Sequence, residues 1–253
     1  MKKRTCKSKS DTTALASEVA NFSAIADEWW DPNGKFRPLH QIGPVRLKYI
    51  CDEITHHYKR NMEDPLPLKG LQILDIGCGG GLLTEPVSKL GAQVMGIDAS
   101  QKNILVASAH ASKLGLKIEY KNILPEELVE KKLHFDAILN MEVVEHVADL
   151  SKYMDACAHL VKPGGIMIMS TINRTLKSLA LAKFGAEYIL RWLPKGTHDW
   201  RKFVKPSELA NQLRRTNLTE TSIQGIGFNI LKRKWQSTPD VSMNYLMAAT
   251  KPK

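Results

Sequence analysis

At 253 residues the chain has the length of one α/β domain with a few added helices, and its 43% hydrophobic and 25% charged residues are those of an ordinary soluble globular protein with a large buried core. The net charge of +10 favours partners that carry phosphate, whether nucleic acid or lipid headgroup. There is no uncharged apolar stretch of the roughly 18 residues that a membrane span needs, and no apolar run behind the basic start to make a secretory signal. Cys6, Cys51, Cys78 and Cys157 form no CxxC pair and no Cys/His metal spacing, so a reduced intracellular compartment is expected.

Residues 1–13, with Lys2, Lys3, Arg4, Lys7 and Lys9, read as a basic disordered start. The rest, 14–253, reads as one domain. Within it, 14–70 forms a helical N-terminal cap: Ala14–Trp30 carries apolar residues at near-helical spacing, a turn follows at Asn33-Gly34, and Pro44 suits the first turn of a helix running to about Tyr58. Asp64-Pro65-Leu66-Pro67 then breaks the chain. From Leu71 short apolar runs alternate with helical stretches. The runs are Ile73–Ile76, Val94–Ile97, Ile118–Tyr120, Ala137–Met141 and Ile166–Thr171; the helices start near Leu82, Gln101, Pro125 and Leu150. Such alternation makes βαβ units, so 71–171 reads as a cofactor-binding core. Segment 173–203 breaks the alternation and reads as a helical insertion after strand five. The remainder, 204–253, supplies a helix at Pro206–Thr216 and strands near Thr221–Ile226 and Asn244–Ala249. The expected architecture is α/β: a doubly wound, seven-stranded, mostly parallel sheet with N-terminal helices.

The strongest chemical signal is Leu74-Asp75-Ile76-Gly77-Cys78-Gly79-Gly80-Gly81, which follows a strand and opens a helix. Its glycines let the backbone turn sharply and approach a ligand, and the helix start behind them favours an anionic group. A dinucleotide fingerprint would place its third glycine at position 82, which is Leu82. Val94-Met95-Gly96-Ile97-Asp98 then puts a carboxylate at the end of the next strand, where it can accept hydrogen bonds from both ribose hydroxyls of an adenosine. Together the two halves predict an adenosine-type cofactor.

LDIGCGGG followed by GIDAS resembles the class I S-adenosylmethionine-dependent methyltransferases. FSAIADEWWDPNGKFRPLHQIGPVRLKYI (22–50), NMEVVEHVAD (140–149), LVKPGG (160–165), STINRTLKS (170–178) and GAEYILRWLPKGTHDWRKFVKP (185–206) are similar, more specifically, to the O-methyltransferase family of ubiquinone biosynthesis. The resemblance runs from about residue 15 to the end. It implies methylation of catechol hydroxyls on polyprenylated precursors (3-demethylubiquinol and 3-polyprenylbenzene-1,2-diol), with S-adenosylmethionine held by Arg46, Gly77, Asp98 and Met141. Arg46 suits the methionine carboxylate as a fork donor, Asp98 the ribose, and Met141 the adenine. Asn122 falls where many class I members carry an acidic residue for the adenine amino group.

Glu142, Glu145 and His146 share one face if they lie on a helical turn, and two carboxylates with an imidazole can hold a divalent cation. Eukaryotic members of the family use magnesium through matching residues, so Mg2+ is a candidate second cofactor. The competing reading is a helix start with acidic residues near its positive end. His198, in Gly196-Thr197-His198-Asp199-Trp200, is the candidate base. His40 is in the same position, and for both the competing reading is a surface or packing histidine; His56 and His57 read as exposed, and Trp29 and Trp30 read as packing or as an acceptor wall.

In the insertion a helix fits Leu176–Trp192, with Leu181, Phe184, Tyr188, Ile189 and Trp192 on one face and Lys183, Glu187 and Arg191 on the other. That pattern suits a lid packed on the domain or an interfacial helix. A polyprenyl substrate tips the choice to a helix lying on lipid, so the expectation is a cytoplasmic enzyme, peripheral at the inner face of a bacterial membrane. Other ubiquinone-biosynthesis proteins are candidate partners and nucleic acid is not. The rival readings are a nucleic-acid methyltransferase, a dinucleotide oxidoreductase and a non-catalytic membrane scaffold.

Overall fold

A computed structural model describes residues 12–179 and 200–253. The five expected core strands form at Gln72–Ile76 (β1), Gln93–Asp98 (β2), Glu119–Asn122 (β3), Phe135–Met141 (β4) and Val161–Ile172 (β5). Thr219–Asn229 (β6), Lys234–Thr238 (β7) and Asn244–Thr250 (β8) complete one sheet in the order β3-β2-β1-β4-β5-β8-β6-β7. The pairs from β3 to β5 are parallel and the remaining pairs antiparallel. The sheet therefore has eight strands, where seven were expected. The extra one, β7, is the outer strand of a hairpin with β6. Its Lys-Trp-Gln-Ser-Thr sequence has a single large apolar residue, because an edge strand faces few neighbours.

The parallel strands read as apolar runs because both their faces are covered. On β1, Leu74 and Ile76 enter one core while Ile73 enters the other. Helices Pro125–Glu130 (α5), Leu150–Leu160 (α6) and Pro206–Arg215 (α7) cover the first face through Leu128, Met154, Leu160, Leu209 and Leu213. The second face is closed by Arg37–His57 (α2) and Thr84–Lys89 (α3) through Ile50, Ile54 and Val87. Gln101–Lys113 (α4) starts at Ser100, whose hydroxyl accepts from Asn103 N–H as an N-cap.

The N-terminal cap departs from expectation in two ways. Ala14–Trp30 is a helix at Ala16–Ala24 (α1) followed by a 3-10 turn at Ala26–Glu28. Helix α2 starts at Arg37, so Pro38 occupies the first turn and Pro44 lies inside the helix. A proline in the first turn removes only an N–H that has no helical partner anyway; Pro38 satisfies that rule, whereas Pro44, expected to open the helix, sits in its interior. His57 is also not the exposed residue expected: it is half-buried, with Nε2 against the Gly164 carbonyl at 2.8 Å. Residues 1–11 of the basic start and most of the insertion, including the expected amphipathic face, lie outside the described residues; Thr13, at the end of that start, is buried, and its carbonyl accepts from Ala148 N–H at 2.8 Å. Among those described, no helix is long and apolar enough to cross a membrane.

Candidate cofactor site

The parallel strands all deliver their carboxyl ends to one edge of the sheet, and the order reverses between β1 and β4, the place where open α/β sheets bind ligands. The glycine turn leaves β1 there. Gly77 and Gly79 have φ of +70° and +54°, which L side chains rarely adopt. A Cβ on Gly77 would stand 2.5 Å from Val143 Cγ2, and one on Gly79 would stand 2.4 Å from Trp29 Cη2. The turn is thus pressed between the β4 loop and the N-terminal cap, which only glycine allows.

Asp98 ties the turn to β2. Its Oδ2 accepts from Gly79 N–H at 3.0 Å, and its Oδ1 accepts from Ser100 N–H at 2.7 Å and Asn103 Nδ2 at 3.1 Å. Burial raises its pKa, and the backbone donors pull it back. Beneath it, Asp75 is fully enclosed and pushed up to about 7 by burial, with Thr84 Oγ1 donating to it at 2.5 Å. Beside Asp98 a groove of about 400 Å³ opens between α1 (Ala16, Val19, Ala20) and the ends of β2 and β3 (Ala99, Asn122, Ile123). Asn122 also donates Nδ2 to the Asp98 carbonyl at 2.8 Å. Asp98 stands one residue ahead of Ala99, which lines this mostly apolar groove, and a carboxylate beside an apolar groove is an arrangement that suits an adenosine.

On the other side of the turn, Arg46 of α2 is buried and donates Nη2 to Glu142 Oε1 at 2.5 Å. Ser170 Oγ donates to the same oxygen at 2.7 Å. Arg46 Nε is buried and meets no acceptor. An unmatched donor on a guanidinium beside the glycine turn fits a ligand carboxylate. Met141, at the end of β4, is 8% exposed and packs in the core under α2 instead of lining the groove.

Glu142, Glu145 and His146 are not gathered around one point. Glu142 adopts a left-handed φ of +56° and stands outside the short 3-10 turn Val144–His146, so the helical face expected of the three does not form. Glu142 faces Arg46. Buried Glu145 accepts from Thr171 Oγ1 at 2.8 Å, and burial together with the Glu142 charge raises its pKa well above the carboxylate range. His146 Nδ1 turns the other way, to Glu18 of α1 at 3.2 Å. Among the described residues no group of three or more His, Cys, Asp or Glu side chains is placed to hold a metal ion. The donor set as arranged does not fit a cation. His198 lies outside the described residues.

Sequence reasoning missed the role of the tryptophan pair. Trp30 Nε1 donates to the Gly80 carbonyl at 2.9 Å and its ring stacks on His110 at 3.5 Å. Trp29 lies over Gly79 and Gly80, stacks on Phe36 and donates Nε1 to Asn103 at 2.9 Å. His40 Nε2 sits 2.9 Å from the Trp29 carbonyl. The two indoles clasp the turn from the cap side. Their adjacency just ahead of a break was the available signal, but nothing local says what they grip.

A family model described as a methyltransferase domain matches residues 47–223. The chain is 52% identical over 241 residues to the ubiquinone biosynthesis O-methyltransferase of Sinorhizobium fredii, covering 95% of this chain and 97% of the relative. It is 54% identical to the enzyme of that name from Dinoroseobacter shibae, with the same coverage. Among solved structures, magnesium protoporphyrin IX methyltransferase from Synechocystis PCC 6803 with bound SAM shares the fold: TM-score 0.62, 16% identity, 95% of this chain and 99% of that one. The 1,6-didemethyltoxoflavin-N1-methyltransferase of Burkholderia thailandensis does so at TM-score 0.61 and 15% identity, over 94% and 89% of the two chains. With a glycine turn, a carboxylate at the end of β2 and more than half its residues shared with relatives that it spans almost in full, the chain belongs to the ubiquinone biosynthesis O-methyltransferase family and is an S-adenosylmethionine-dependent methyltransferase.

Proposed function

We propose that the chain methylates a catechol hydroxyl of polyprenylated ubiquinone precursors, working as a peripheral protein at the cytoplasmic face of the membrane. The observation that carries the cofactor half is the Asp98 carboxylate, locked to Gly79 N–H at 3.0 Å and one residue ahead of Ala99, which lines the groove. In this reading Asp98 takes the ribose hydroxyls, Asn122 borders the adenine, and Gly77 lets the backbone close on the methionine end. Arg46, with its spare Nε, takes the carboxylate, while Met141 backs the site from the core. The donor supplies an electrophilic methyl on a positively charged sulfur.

The acceptor needs more help. A phenol has a pKa of about 10, so its proton must leave before or during attack. The oxygen then bonds to the methyl carbon as the carbon–sulfur bond breaks, and that electron pair neutralises the sulfur. The fold's task is to hold oxygen, carbon and sulfur in line and keep water out. His198 is the side chain proposed to take the proton. Glu142, Glu145 and His146 stand as the alternative, as ligands of a magnesium ion, although their present arrangement does not gather a cation. An assay with methyl-labelled donor and a short-chain polyprenyl catechol tests the reading, and label in the ring ether is the expected result. Retention of activity after complete chelation assigns proton removal to a side chain, and magnesium-restored activity assigns it to the cation. If no catechol is methylated although the donor binds, the substrate assignment is wrong.

The membrane part of the proposal rests on the substrate's tail, the net charge of +10 and the apolar face expected within 173–203. Association with other ubiquinone-biosynthesis proteins belongs to the same proposal. Vesicle flotation tests it: replacing Leu181, Phe184 and Trp192 by polar residues should weaken binding.

A further inference from the structure

The β6–β7 hairpin carries the most exposed apolar residues among those described. Ile230 is 81% and Leu231 95% exposed, and Phe228 next to them is 50% exposed. Large apolar side chains that stand this far into water, side by side, mark a contact surface. Three consecutive cations follow, Lys232, Arg233 and Lys234, all exposed. None of them forms an ion pair with another described residue.

The tip is a built turn. Asn229 Oδ1 accepts from Lys232 N–H at 2.9 Å, Asn229 Nδ2 donates to Gln236 at 3.2 Å, and Arg233 takes a left-handed φ of +47°. The stem is anchored: Phe228 meets Trp235 edge-on at 5.5 Å, and Trp235 Nε1 donates to Gln41 of α2 at 3.4 Å. Ile230 and Leu231 are therefore held out by the hairpin's own bonding.

Its direction follows from register. Strand β8 runs antiparallel to β5, and β6 antiparallel to β8, so β6 points the same way as β5. Gly225 is level with Tyr245, and Tyr245 with Thr171 at the end of β5. That is also the level of the site, since Glu142 N–H donates to the Ser170 carbonyl at 2.9 Å. From Gly225, β6 runs on to Asn229, which at about 3.4 Å per residue carries the tip roughly 14 Å past that edge. The insertion leaves and re-enters at the same edge, where Val204 N–H donates to the Ile172 carbonyl at 3.3 Å.

We propose that the hairpin tip Phe228–Lys234 is a second lipid-docking element, which inserts Ile230 and Leu231 into an anionic bilayer while Lys232, Arg233 and Lys234 engage headgroup phosphates. It deepens the membrane reading above and stands on a different segment. Apolar residues that enter the acyl boundary beside cations that meet anionic lipid are the combination that interfacial anchors use. Its position turns the cofactor edge of the sheet towards the surface, from which a prenylated catechol would arrive.

The test uses the full chain with vesicles of phosphatidylglycerol and phosphatidylethanolamine in equal parts, and with phosphatidylcholine alone. The double variant Ile230→Ser, Leu231→Ser should partition at least about tenfold more weakly to the anionic vesicles, and Lys232→Glu with Arg233→Glu should do the same. Both should keep the wild-type melting temperature and the activity on a water-soluble catechol. Hydrogen exchange in peptides covering 226–238 should slow when anionic vesicles are added. Unchanged partitioning of both variants, or unchanged exchange in those peptides, overturns the hairpin proposal and points to a protein partner for the tip. If that occurs while the insertion variants lose flotation, the membrane reading survives without the hairpin. Equal binding of the wild type to phosphatidylcholine also overturns it, because the cations would then have no lipid to select.

Discussion

Asp98 is bound from three sides, by Gly79, Ser100 and Asn103, so a change there acts on both the cofactor and the shape of the turn. Asp98→Ala should weaken S-adenosylhomocysteine binding by about tenfold to a hundredfold, the value of about 1.5–3 kcal/mol for hydrogen bonds to a charged group. Titration calorimetry reads this directly, and wild-type affinity in the variant would remove Asp98 from the site. Asp75 makes a prediction of a different kind. Its folded pKa of about 7 is raised by burial above the ordinary carboxylate value. The folded state therefore holds a proton that the unfolded chain has lost between about pH 4 and 7. Stability from this group is fully present below about pH 4 and is lost as pH rises through about 7. Asp75→Asn keeps an oxygen to accept from Thr84 and has no proton to lose. The variant should flatten the decline in melting temperature between about pH 5 and 7.5, and an equally steep decline in the variant would assign that pH dependence to other groups. At this scale the sequence was legible where chemistry is local: the glycines and Asp98 sit in one stretch of strand, turn and strand. The Arg46–Glu142 pair was not, because its partners are 96 positions apart and no periodicity links them.

Elements divide the same way. The core strands were legible because burial on both faces demands unbroken apolar runs, as Ile166–Met169 show with 0–1% exposure. Strand β7 has no such demand on it and left no pattern. The turn after β4 was misread for a physical reason: i, i+3, i+4 spacing means a shared face only on a helix, and Glu142 at φ +56° is not on one. The cap is a different case, since its helices were visible but not its grip. Glu18 of α1 reaches both His146 at 3.2 Å and Lys202 at 3.0 Å, joining the cap to the loop after β4 and to the far end of the insertion. The tryptophans join it to the glycine turn. Trp29 is 7% exposed and stacked on Phe36, so Trp29→Ala should destabilise the protein by about 3–5 kcal/mol, the usual cost of emptying a large aromatic site. Chemical denaturation measures it. A loss below about 1 kcal/mol would mean that the cap is only loosely seated on the turn.

On the scale of the molecule, the sheet does two jobs at one edge. Its parallel half supplies the turn, the carboxylate and the groove, and its antiparallel half raises the hairpin beside them. The cofactor site draws on the cap, β1, β2 and β4 together, so ligand binding should stiffen the whole arrangement and show in global stability. A ligand present at a hundred times its dissociation constant adds about 2.7 kcal/mol to unfolding. For a chain of this size each kcal/mol moves the melting temperature by about 2–4 °C. S-adenosylhomocysteine should therefore raise it by roughly 5–10 °C. NADH at the same concentration should leave it unchanged, because Leu82 stands where a dinucleotide turn needs its third glycine. Differential scanning calorimetry with each ligand decides this, and equal shifts would mean that the groove recognises adenosine regardless of the group attached to its ribose. Arg46→Ala sharpens the result. If Arg46 holds the methionine carboxylate, its loss should remove most of the shift from S-adenosylhomocysteine while leaving the weaker shift from adenosine alone intact. If instead Arg46 only neutralises Glu142, both shifts should fall together, since the damage would lie in the fold beneath the site and not in its contact with the ligand.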